Sequence, residues 1–207
     1  MNPARIHRFC AIIVASYVLL HMANHLAMLS SVASHMAVMS ALRWLYRPPL
    51  LEAVLLFSVI VQVLSGAWRV VRGWRERSGS VAWWQAGSGA YMVFFLAAHV
   101  SLILFGRTTL QLDTNFWFVA ADLHRASSRY GFALFYFLAV AAVFTHLSCA
   151  AYWYLAGRSE VIALRVFRLG VLAGVVIAAL LVLTMAGKLY PLKVPLQYQT
   201  PVAVSAI

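Results

Sequence analysis

Trp84-Gln85-Ala86-Gly87-Ser88-Gly89-Ala90-Tyr91-Met92-Val93-Phe94-Phe95-Leu96-Ala97-Ala98-His99-Val100 contains no charged residue and a single imidazole. About 20 apolar residues cross the hydrocarbon core of a bilayer as a helix, and with its flanks this run is long enough. A histidine at that depth is costly without a partner, which marks His99 as a site residue. The rest of the chain has the same character. Of 207 residues, 64% are hydrophobic and 10% charged, where a soluble domain carries roughly 25% charged residues. The sequence therefore predicts an all-α, polytopic membrane protein forming one domain.

Uncharged runs place five spans at about 9–29, 50–70, 82–105, 130–156 and 169–187, with 188–207 an extended tail on the outer side. The first resembles a signal peptide in having Arg5 and Arg8 ahead of an apolar run, but it lacks a clear small-residue cleavage site and reads as a retained helix. Sixteen basic against five acidic residues give a net charge of +11. These charges sit at the ends of the spans, so the lipid bilayer is the expected partner and nucleic acid is not. With the N-terminus inside, nine basic residues fall on the inner side and seven on the outer. The inner ones crowd into short loops, which favours N-terminus in, C-terminus out, in a bacterial-type inner membrane. Cys10 and Cys149, isolated on different spans, read as packing residues.

Between the spans, Ser30–Leu42 has the make-up of an interfacial helix, and Pro48-Pro49 punctuates the start of the second span. Residues 106–129 form the longest loop. Asp113, Asp122 and His124 fit no catalytic spacing there, and an ordered outer cap is expected.

The histidines carry the chemistry. His21 lies 13 residues beyond Arg8, roughly 20 Å from the inner surface, and His99 lies 16 residues beyond Trp83, roughly 24 Å from it. The two share a depth, and His25 shares a helical face with His21. His146, about 16 residues from the outer end of its span, lies in the inner half, as does Gln62. Two imidazoles facing each other across a bundle can hold a haem iron. A bare metal ion needs three or four converging ligands. Haem held by His21 and His99 is therefore preferred to a metal cluster, the alternative being buried histidines hydrogen-bonded to neighbouring helices. Gly66 allows close approach of a neighbouring helix or a flat cofactor.

The order of these motifs resembles a known family. Gln85-Ala86-Gly87-Ser88-Gly89, Phe95 and His99-Val100 resemble the haem-binding helix of the cytochrome b membrane anchors of succinate dehydrogenase and fumarate reductase, of the single-chain, five-helix kind. His7-Arg8 with Ser16, His21 and Asn24 resembles the first helix of that family, and Pro49, Glu52 and the Gln62…Gly66 pair the second. Ala142-Val143-Phe144-Thr145-His146-Leu147 with Trp153 resembles its fourth histidine-bearing helix. The likeness spans residues 5 to about 155.

The resemblance implies four histidine ligands for two haems, paired first with third and second with fourth. Carried over, His21 and His99 hold the outer haem, while His146 is a ligand of the inner one with Gln62 at its partner's position. Glutamine is not a normal iron ligand, so the second haem is expected to be absent or held weakly through His146 alone. The resemblance also implies quinone as electron carrier, with flavoprotein and iron–sulfur subunits as partners. The chain has no dinucleotide fingerprint and no cysteine cluster, so any succinate or fumarate chemistry belongs to those subunits. Two alternatives stand beside this one: a haem-binding membrane protein without dehydrogenase partners, and a cofactor-free membrane scaffold.

Overall fold

The computed structural model describes residues 3–199. The end of the expected tail, Pro201 included, lies outside them. The described residues form seven α-helices and no strand. In order these are α1 (Pro3–Ala27), α2 (Val32–Tyr46), α3 (Pro49–Arg72), α4 (Ser80–Thr108), α5 (Phe116–His124), α6 (Arg129–Ala156) and α7 (Glu160–Met185), with a short 3-10 turn at Leu196–Tyr198. α1, α3, α4, α6 and α7 are long and apolar enough to cross a membrane, as an integral membrane protein requires.

Local chemistry explains most of the boundaries. The Ser31 hydroxyl accepts from the Ser34 amide (3.0 Å) to start α2, and Asn115 caps α5 by accepting from the Trp117 amide (2.9 Å). Pro49 opens α3 at the first helical position, where its missing N–H costs nothing. The fifth span departs from expectation by starting at Glu160 rather than 169. Ser159 caps it, its hydroxyl accepting from the Ile162 amide, and Glu160 lies in the positive first turn. Arg165 and Arg168 are thus helical, close enough to the end for their charges to leave the apolar zone. The first span likewise begins earlier than residue 9, at Pro3.

The spanning helices pack in the sequence α1–α3–α4–α6–α7. Phe57, Ile60, Leu64 and Trp68 stay more than half exposed along one stripe of α3, as a lipid-facing surface would. α6 and α7 make the most extensive contact, with Gly170 against Ser148 and Gly174 against Phe144. Small residues let the two backbones approach.

The other two helices build a cap. α5 buries Phe116, Ala120 and Leu123 with Met28, Tyr136, Leu181 and Met185 at one end of the bundle. Hydrogen bonds that pin the tail there include Tyr190 Oη to Met28 O (2.6 Å), Tyr198 Oη to Asp113 O (2.9 Å) and Arg125 Nη2 to Tyr198 O (2.9 Å). α2 forms as a helix and folds back antiparallel along α1. His35 near its start reaches Asn24 O (2.9 Å), and Tyr46 at its end meets Tyr17 edge-on, ring centres 5.2 Å apart.

Candidate functional site

Beneath the cap, α1, α3, α4 and α6 enclose a cavity of about 250 Å³. His21 and His25 project into it from α1 and His99 from α4. Its walls are otherwise mostly apolar, including Val14, Leu55, Val59, Phe95, Leu96 and Val140. Polar groups in an apolar pocket are few and fix what binds.

The His21 and His99 rings stand 6.4 Å apart, centre to centre, at 55°. A metal–imidazole bond is about 2.0 Å, which sets two rings gripping one ion from opposite sides about 6.3 Å apart. The ring spacing is the one these two residues would need in order to hold a single iron between them. Both rings are braced by neighbours. Tyr17 stacks on His21 with centres 5.5 Å apart, Phe95 stacks on His99 at 5.0 Å, and Tyr136 stands edge-on to His99 at 6.2 Å. His99 Nδ1 is buried without a hydrogen-bond partner. His21 Nε2 lies 3.0 Å from His25 Nε2, so a metal at that nitrogen must displace His25. Among the described residues no group of three or more His, Cys, Asp or Glu side chains is placed to hold a bare metal ion. Two imidazoles at this spacing in a mostly apolar cavity would suit a haem, whose iron needs only two ligands from the protein.

No family model, no curated protein and no solved structure matches this chain.

The second group of site residues lies toward the N-terminal end of the bundle. His146 Nδ1 is 3.3 Å from Ser88 Oγ, and Gly89 lies against the same ring, where a β-carbon would come within 3.3 Å of Cε1. Gln62 turns elsewhere: its Nε2 donates to His7 O (2.6 Å), joining α3 to α1. Among the described residues Gln62 and His146 form no hydrogen bond with each other. Gly66 sits where a β-carbon would press on Val93 (3.2 Å), making it a close-approach point between α3 and α4.

Two features of the site were not singled out by the sequence as cavity-lining. His35 stacks on His25 with ring centres 5.5 Å apart, extending the histidine row from α1 into the cap. Its position in a short helix outside the spans hid it. Arg47, Glu52 and Arg107 also border the cavity. Each is the charged residue nearest a span end, a pattern that flags interfacial anchors as readily as ligand contacts.

Proposed function

We propose that this chain is a membrane cytochrome b-type subunit that binds one b haem between α1 and α4 through His21 and His99, and carries electrons linked to a quinone pool. The observation behind it is the 6.4 Å spacing of those two rings across an apolar cavity. A haem bound there supplies a one-electron carrier whose potential is tuned by its surroundings. The chain's own contribution is positional. α1 and α4 hold the imidazoles apart, Tyr17 and Phe95 fix the ring planes, and the apolar walls exclude water. The cap of α2, α5 and the tail shields the end of the site.

The likeness to the succinate dehydrogenase and fumarate reductase anchors supports flavoprotein and iron–sulfur subunits as partners. The distribution of basic residues supports the N-terminus on the inner side of the membrane, which we propose is of the bacterial inner-membrane type. A second reading is a haem-binding membrane protein that works without dehydrogenase subunits. One observation favours it: the Gln62 amide is committed to His7 O, so α3 offers no iron ligand opposite His146.

The deciding experiment is a reduced-minus-oxidised spectrum of the purified chain with haem counted per polypeptide. One b-type haem per chain supports the proposal, and none overturns it. Co-purification of flavin and iron–sulfur polypeptides then separates the first reading from the second.

A further inference from the structure

Where α2 turns into α3, three guanidinium groups gather around two carboxylates. Arg43 Nη2 donates to Asp113 Oδ1 (2.6 Å), with Nη1 on Oδ2 (3.3 Å), and Arg107 Nη2 pairs with Glu52 Oε1 (2.6 Å). Arg47 is left over. Its Nη2 makes one long bond to Thr114 Oγ1 (3.5 Å), its Nε is buried without a partner, and among the described residues no carboxylate pairs with it.

Arg47, Arg107, Glu52, Tyr46 and Thr114 border the same cavity as His21 and His99. Tyr17 joins the two regions, stacking on His21 on one side and meeting Tyr46 edge-on on the other. The cavity is thus apolar in its body, imidazole-lined at its centre and cationic at one edge. A partly buried cation with no carboxylate in direct contact is costly, and here the charge of Asp113 offsets only part of that cost. Burial, with the charges of Arg43 and Arg107, pulls Arg47 below its ordinary value against the opposing pull of Tyr46 and Asp113, and a bound anion would relieve what remains. A guanidinium fork matches a carboxylate bidentately.

We propose that Arg47, seconded by Arg107, binds a carboxylate of the molecule that fills the cavity and fixes it acid end toward the α2–α3 turn. This rests on haem as the occupant, whose two propionates are the acids concerned. The phosphate of an anionic lipid offers similar chemistry from another source, and the experiment separates them.

The full chain is purified in neutral detergent, stripped of haem, and titrated with haem and with haem dimethyl ester, following the Soret band. The ester should bind the wild type about tenfold to a hundredfold more weakly than haem, the loss of a charge-assisted hydrogen bond. Arg47→Gln should weaken haem by a similar factor without weakening the ester further, Arg47→Lys should recover part, and Arg129→Gln, on the exposed surface, should change nothing. Equal affinity of the wild type for haem and ester overturns the proposal, and needs no variant that folds. So does an Arg47→Gln loss that appears only with added phosphatidylglycerol, which assigns the cluster to lipid phosphate. A wild type that binds neither compound overturns haem binding itself, a different result from haem bound without regard to its acids.

Discussion

The rings of Tyr136 and His99 stand perpendicular, planes at 89° and centres 6.2 Å apart, while the Tyr136 hydroxyl is buried with no hydrogen-bond partner among the described residues. A buried, unpaired hydroxyl costs about 1–3 kcal/mol. Tyr136→Phe keeps the ring and removes that cost. In the haem-free chain its thermal midpoint in detergent should equal or exceed that of the wild type. A fall of several degrees would mean that the hydroxyl has a partner in the protein as purified.

His21→Ala and His99→Ala should each abolish the b-type spectrum, because each removes one of the two rings that stand 6.4 Å apart. His146→Ala should leave most of it. His146 is engaged with Ser88 and Gly89, away from the cavity. Haem per chain, measured on each purified variant, checks all three, and an equal loss in the His146 variant would refute the pairing.

The spans and the imidazole pair were legible because each rests on a one-dimensional signal. An uncharged run must be helical in lipid, since its backbone has no other hydrogen-bond partner, and a rise per residue of about 1.5 Å converts position into depth. What was hidden depends on chain reversal. That α2 folds back along α1 is decided by His35 meeting Asn24 and Tyr46 meeting Tyr17, contacts with no periodic trace. The early start of α7 was in principle readable. Ser159-Glu160 is a capping signal, but Arg165 and Arg168 just beyond it mimic a loop. Gln62 shows a different limit: its place opposite His146 came from the family likeness, whereas its bond to His7 O depends on how α1 and α3 cross.

The cap should loosen in mild acid. His35 is held below its ordinary value of 6.5, by burial first, against the pull of its bond to Asn24 O, with the Arg43 charge adding to the burial. Below pH 6.5 the unfolded segment takes up a proton that the folded one refuses, so stability falls as pH drops from 6.5 toward the folded value. Asp113 acts in a lower window. Burial raises it, the Arg43 hydrogen bond and charge outweigh that, and its contribution is lost only below the ordinary value of 3.8. The protection of α2 amides against hydrogen exchange, with the slowing of the intrinsic chemistry divided out, should therefore fall between pH 7 and 5 in the wild type. The fall should be smaller in His35→Gln.

Three glycine-to-alanine substitutions should order themselves by what the new methyl meets. Gly87 has nothing within 4 Å of an added β-carbon. In the interior of α4, Ala there should stabilise by about 0.5–1 kcal/mol through helix propensity alone. At Gly170 the methyl lands on Ser148 Oγ, a side-chain atom that can rotate away if it gives up its 2.7 Å bond to Phe144 O. At Gly174 it lands on Phe144 Cβ, which is fixed to the α6 backbone and can yield only if the helices part. Overpacking of that kind costs about 1–3 kcal/mol. Thermal unfolding in detergent should rank Gly87→Ala above wild type, then Gly170→Ala, then Gly174→Ala. If Gly174→Ala proves no worse than Gly170→Ala, α7 can shift on α6 freely, and the close contact between them does not hold the bundle together.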